Sequence, residues 1–256
     1  MEALIRQLQY QTISLSEMGK VRLMKRVDTK YVISRRQLEF LLERLPAYYF
    51  VQEIDGRCSM PYYTLYYDTP DRDMYHDHRR GRSNRKKIRI RIYRHSGQAY
   101  LEVKHKSGNG RTSKHRQAVE GEHHHLPLSA EFLRKHCQYE VSQLQKTIEN
   151  NFERITLVSK NLDERVTIDT ALRYRNHHTH QCCSLEDLVI IELKRDGHRY
   201  SRLREVLNDM LVRSSSFSKY CVGMILTDNT LKQNNFKEKL HPLSYRVPSL
   251  RQCYER

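Results

Sequence analysis

Residues Lys86 to Tyr93 read KKIRIRIY, alternating cation and isoleucine from Lys87 to Ile92 before ending on Tyr93. Side chains alternate across a β-strand with period two, so Lys87, Arg89, Arg91 and Tyr93 share one face and Ile88, Ile90 and Ile92 the other. The pattern recurs three times. Over 99–106, Glu102, Lys104 and Lys106 lie opposite Leu101 and Val103. Over 164–172, Arg165, Thr167 and Asp169 lie opposite Val166 and Ile168, and over 189–194, Ile190, Glu192 and Lys194 lie opposite Val189, Ile191 and Leu193. Four strands are thus predicted with one aliphatic and one charged face each. The turn residues His95, Ser96 and Gly97 join the first two as a hairpin.

Further strands are predicted at 25–33, 48–54, 62–68 and 152–157, all rich in aromatic or β-branched residues. Lys114 and Arg116 stand at strand spacing after the Gly108-Asn109 loop. Helical signals begin with a short amphipathic opening helix carrying Ala3, Leu4 and Leu8. Ser34 and Gln37 form a capping-box pattern ahead of the stripe Leu38, Leu41, Leu42 and Leu45, which ends at Pro46. Helices are also predicted over 129–149 with Ser129 as cap, over 201–213 with Leu203, Val206 and Leu207 buried, and over 218–226. Residues 73–85 read as a basic loop or short helix. Residues 229–256 read as a polar, irregular tail, residues 1–24 as an extension, and 25–228 as one domain long enough to bury a sizeable core.

Charge narrows what such a sheet could meet. Forty-six Lys and Arg against 30 Asp and Glu give a formal net charge of +16, which points to anionic partners. The N-terminus has no signal-peptide apolar core, and no window approaches the roughly 18 apolar residues that span a bilayer. Six cysteines at 58, 137, 182, 183, 221 and 253 show no repeated short spacing, so a cytoplasmic protein with reduced thiols is expected. Solvent-facing sheets usually mix Thr, Ser and Gln, whereas these faces are dense in Lys and Arg. Two arrangements fit the spacing. One is a solvated basic sheet; the other is a barrel with aliphatic faces outward under the helices and the cations lining a tunnel. Cations crowded within a low-dielectric wall require an anion to neutralise them, and phosphate chains supply that charge densely.

The motifs KRVDTKY (25–31), YYDTPDRDMY (66–75), KIRIRIY (87–93), LEVKHK (101–106), SKHR (113–116), RVTIDTALRY (165–174), IIELK (190–194) and SFSKYCVGM (216–224) follow one another in an order that is itself informative. In that order and spacing the chain resembles the catalytic domain of the vacuolar transporter chaperone (VTC) polyphosphate polymerases, within the triphosphate tunnel metalloenzyme superfamily. The resemblance implies an α+β fold, an antiparallel β-barrel forming a cationic tunnel with helices packed around it. It implies transfer of the terminal phosphoryl group of ATP onto phosphate or polyphosphate. Lys30, Arg89, Arg91, Lys104 and Arg154 would hold phosphates, with Lys114 and Arg116 as a basic pair beside the tunnel. Ser218 and Lys219 would contact the phosphate at the reacting end, and Glu192 would hold a divalent metal, Mn2+ or Mg2+. Lys87, Lys106, Arg165 and Lys194 share the charged strand faces and complete the phosphate-binding set. One of Arg79, Arg80 and Arg82 would also enter the tunnel.

Phe152 departs from the resemblance, standing where the family's polymerase has a tyrosine. The family's regulatory helical domain and membrane segments have no counterpart here, so a separate membrane or regulatory partner is expected. Arg26 and Asp28 occupy the region where the triphosphatase branch carries alternating glutamates, which favours polymerase over triphosphatase. A non-catalytic polyphosphate or nucleotide sensor would use the same cations without Glu192. Tyr62, Tyr63, Tyr66 and Tyr67 could stack bases; a half-buried strand explains them more simply, and no nucleic-acid partner is expected. His177, His178, His180, Cys182 and Cys183 lie close together but fit no CxxC-type zinc spacing. His123–His125 reads as a solvated loop.

Overall fold

The alternating faces are built as strands in the computed structural model, which describes residues 1–19, 26–109, 111–197 and 200–254. The elements run α1 (Glu2–Gln7), β1 (Thr12–Ile13), α2 (Leu15–Met18), β2 (Arg26–Ser34), α3 (Arg35–Leu42), β3 (Tyr49–Gln52), β4 (Ser59–Asp68) and α4 (Asp73–Arg79). Then come β5 (Arg85–Tyr93), β6 (Ala99–Lys106), β7 (Thr112–Val119), α5 (Ala130–His136), β8 (Gln145–Ser159), β9 (Glu164–Asn176), β10 (Cys182–Leu185) and β11 (Leu188–Asp196). Four helices close the chain: α6 (Arg202–Asp209), α7 (Lys219–Thr227), α8 (Asn234–Ser244) and α9 (Pro248–Tyr254). Lys25, the first residue of the expected opening strand, lies outside the described residues.

One sheet carries the fold. Its path is β2-β11-β9-β8-β4-β5-β6-β7, antiparallel throughout, with β3 paired to β8, β10 to β9, and β1 parallel to β3. The expected fold class is the one observed, with one difference. Among the described residues no ladder joins β2 to β7, so the wall curves round without a hydrogen-bonded closure.

The aliphatic faces are outside and covered. Ile88, Ile90, Ile92, Leu101 and Val103 pack with Met74 of α4 and Leu133 of α5, while Ile168, Val189, Ile191 and Leu193 pack with Leu38, Leu41 and Leu42 of α3 and Leu203, Val206 and Leu207 of α6. Each such side chain, fully buried, stabilises the fold by roughly 1.5–3 kcal/mol. The capping box at α3 forms as expected: the Gln37 N–H donates to Ser34 Oγ at 3.3 Å and the Ser34 N–H to Gln37 Oε1 at 3.0 Å.

The sheet's other face is shared between two occupants. At one end it meets α7, whose Tyr220, Cys221, Val222, Met224 and Ile225 pack with Val32, Ile148, Leu172, Tyr174 and Ile190. A Cβ on Gly223 would stand 2.5 Å from the Tyr174 ring, so only glycine lets α7 approach this closely. Elsewhere the inner face is charged. β9 keeps Asp169, Leu172 and Tyr174 on the same inner side through a bulge opposite Phe152, where Ala171 takes a left-handed φ of 52°.

Two expectations are corrected. Residues 229–254 are not an irregular tail: within them Phe236 and Leu240 of α8, Val247 of the connection and Leu250 of α9 are buried against α7 and β10. Residues 129–149 are not one helix, because α5 stops at His136 and β8 starts at Gln145. The Glu/Gln/Lys-rich run after Tyr139 has helical propensity, but pairing with β4 from Asp68↔Gln145 onward takes precedence over it. No helix among the described residues is long and apolar enough to cross a membrane.

Candidate active site in the cationic cavity

The charged strand faces converge on one cavity of about 550 Å3. Lys87, Arg89 and Arg91 reach it from β5, Lys104 from β6, Lys114 and Arg116 from β7, Arg154 from β8, Arg165 from β9, Lys194 from β11 and Lys30 from β2. Lys219 of α7 makes an eleventh cation, with Ser218 beside it, and the lining carboxylates are Asp169 and Glu192. Every residue that the sequence assigned to phosphate, metal or the reacting end is therefore brought together here except Lys106 and the arginines of 79–82. Lys106 ends β6 between Arg85 and Thr112, outside the lining. Arg79 and Arg80 line a separate pocket, and Arg82 pairs with Asp77 at 3.1 Å.

Three carboxylates hold the cations in place. Glu102, which is fully buried, accepts from Arg89 Nη2 at 2.6 Å and also pairs with Lys114. Burial alone would raise its pKa, yet Arg89, Arg91 and Lys114 hold it down to about 2. Asp169 accepts from Arg154 Nε at 2.6 Å and Nη2 at 2.8 Å, and from Lys219 Nζ. These partners overcome its burial and hold it ionised well below the usual carboxylate range. Glu192 takes Lys194 Nζ at 3.0 Å; with Lys30 also near, it too is held far below its ordinary value against the opposing effect of burial.

The remaining cations are crowded, and the crowding shows in their acidity. Arg89, burial and Arg91 together push Lys104 down to about 6. Burial pushes Lys87 and Lys219 each down to about 8. Arg91 is lowered by burial and by Arg89, and its Nε is buried without a partner. A like-charge surplus of this kind is the electrostatic complement of a polyanion.

The segment before α7 closes over the cavity. Lys30 Nζ donates to the Phe217 carbonyl at 3.2 Å, and Lys87 Nζ to Ser218 Oγ at 2.9 Å. Ser218 Oγ also accepts from the Cys221 N–H at 3.4 Å, so one hydroxyl caps α7 and faces the cavity. Lys219 Nζ lies 4.3 Å from the centre of the Phe152 ring, which stacks on Tyr62 at 5.3 Å. Phe152 thus supplies a cation–π wall but no hydroxyl.

Asp169 and Glu102 were legible on their strand faces without an evident role; their part as counter-ions needs the cross-strand register that sets Glu102 opposite Arg89 and Asp169 opposite Arg154. Tyr62 and Tyr66 line the cavity, whereas Tyr63 and Tyr67 join the outer core, so period two sorts that tyrosine run. Among the described residues no group of three or more His, Cys, Asp or Glu could hold a metal, the His177–Cys183 stretch included. His177 Nε2 instead meets Glu149 Oε2 at 2.9 Å.

Comparison with known families matches residues 25–227 to the VTC domain. The chain belongs to the VTC domain family. No curated protein sequence matches it. Among solved structures, a candidate adenylate cyclase from Bacillus halodurans superposes on this VTC domain with a TM-score of 0.49 at 14% identity, covering 76% of this chain and 96% of that one. A candidate adenylyl cyclase from Hippeastrum, for which a dominant triphosphatase activity is described, gives 0.49 at 12% identity over 78% and 95%. A third, from Vibrio parahaemolyticus, gives 0.44 at 12% identity over 77% and 96%. At these scores the likenesses carry no argument about the chemistry of the VTC cavity.

Proposed function

We propose that this VTC domain is a polyphosphate polymerase-like phosphotransferase, moving the terminal phosphoryl group of ATP onto phosphate or a polyphosphate end. What supports the reading is the set of eleven cations around one cavity. Phosphoryl transfer passes through a loose transition state whose charge sits on peripheral oxygens, so positioning and charge neutralisation do most of the catalysis. Arg89, Arg91, Arg154 and Lys104 would grip successive phosphates, Arg by bidentate hydrogen bonds. Lys219 and Ser218 would meet the phosphate at the reacting end. Asp169 and Glu102 hold Arg154, Lys219 and Arg89 in position beforehand, so little reorganisation is needed when the anion arrives.

The donor set fits a divalent metal that shares its shell with the substrate. Glu192 is held ionised, and with no three-ligand cluster among the described residues the remaining ligands would be phosphate oxygens and water, as Mg2+ and Mn2+ sites on nucleotides commonly are. When bound there by Glu192, such a metal would neutralise charge on the transferring group; manganese is the proposed ion.

The test is incubation of the full chain with ATP and Mn2+, with products resolved by length. Chains many phosphates long are expected. Orthophosphate alone would replace this reading with a triphosphatase, and tight binding without turnover would replace it with a sensor.

A further inference from the structure

A second basic concavity lies outside the cavity. The helix α4 and the turn after α7 border a pocket of about 380 Å3, lined among others by Arg72, His76, Arg79, Arg80, Thr230 and Lys232, and among the described residues no acidic one lines it. Two features mark it as more than a solvated basic surface. Arg79 Nε is shielded from solvent yet has no hydrogen-bond partner among the described residues, which leaves an unused donor beside the pocket, and His76 Nδ1 is likewise unpartnered. Arg72 holds a left-handed φ of 57°, unfavourable for a residue with a Cβ. Its N–H to the Thr69 carbonyl at 2.9 Å and its guanidinium to Asp228 at 3.3 Å keep it there. Asp228, 1% exposed at its side chain, is the acidic group paired with this arginine among the described residues.

Three guanidinium forks and one ammonium around a small concavity match the oxygens of phosphate, and Arg recognises phosphate in this bidentate manner. We propose that this pocket is a second anion site, separate from the cavity, taking a small phosphate-bearing ligand. Its position gives it reach. Asp228 ends α7, while Ser218 and Lys219 begin it inside the cavity. A phosphate entering the pocket competes with Asp228 for Arg72 and so acts on the far end of the helix that presents Lys219.

The test uses the full chain and the arginine reagent phenylglyoxal, with modification mapped by mass spectrometry, in the presence of inorganic pyrophosphate, a phosphate monoester, or sulfate. Modification of Arg79 and Arg80 is expected to slow several-fold with pyrophosphate. Slowing by pyrophosphate alone identifies a phosphoanhydride ligand, and slowing by the monoester as well identifies any terminal phosphate. Equal slowing by sulfate, or none by any anion, overturns the site. Protection of Arg89 and Arg91 in the same experiment reports on the cavity independently, so the two readings fail separately. In a calorimetric titration with pyrophosphate, the Arg79→Ala/Arg80→Ala variant should lose one class of site with its circular dichroism intact; unchanged stoichiometry would count against the pocket.

Discussion

Lys219 is the residue on which the proposed transfer turns. It is held by Asp169, shielded by Phe152 and placed by the first turn of α7. Lys219→Ala should lower ATP-dependent product formation by on the order of 100-fold, as losing one preorganised charge at a transition state does; an undiminished rate would remove it from the site. Lys104 makes a prediction about pH. Arg89, burial and Arg91 push its pKa down to about 6, below the unfolded value of 10.5, so between those limits the unfolded chain binds more protons and stability rises with pH. The ligand-free melting temperature should therefore climb as pH rises from 6 towards 9. Sulfate, whose own charge is constant over this range, favours the protonated amine. Its affinity should fall over the same interval, and Lys104→Met should make both profiles shallower below pH 8, where Lys87 and Lys219 do not yet titrate. Lys104 could be placed on a charged face from the sequence, but its acidity could not: that follows from Arg89 and Arg91, which only the folded sheet brings close.

At the scale of elements, period-two reading recovered β5, β6, β9 and β11 because each sets aliphatic residues opposite its charged face, whereas β7, with Ser113, His115 and Gln117 opposite Lys114 and Arg116, showed only the spacing of its cations. It failed where a neighbour overrode local preference. Residues 145–149 look helical until β4 is placed beside them, and Phe236, Leu240, Val247 and Leu250 carry a helical stripe that Pro242, Pro248 and the surrounding polar residues obscure. The bulge at Ala171 has no sequence signal at all, since alanine rarely takes a left-handed φ. The helix α7 was anticipated as helical, but its place on the inner face depends on Gly223. Gly223→Ala should destabilise the fold by about 1–3 kcal/mol in urea unfolding, the range for overpacking a filled interior. It should also reduce activity beyond that loss, because the helix that moves carries Ser218 and Lys219. Unchanged stability would mean Tyr174 turns aside freely.

On the scale of the molecule, the terminal helices are part of the core rather than an appendage. A chain ending at residue 233 should expose the apolar surface beneath α8 and α9, melt at lower temperature and bind a hydrophobic dye; a truncated protein as stable as the whole would contradict this packing. The same scale gives meaning to the seam between β2 and β7. A fully closed barrel is a hoop, and its girth is fixed by backbone hydrogen bonds that must break before it can widen. Among the described residues this wall has no ladder between β2 and β7, and Lys30 of β2 and Lys87 of β5 both reach the segment before α7, at Phe217 and Ser218. Among the described residues, widening the wall along that seam would therefore break no strand-to-strand hydrogen bond.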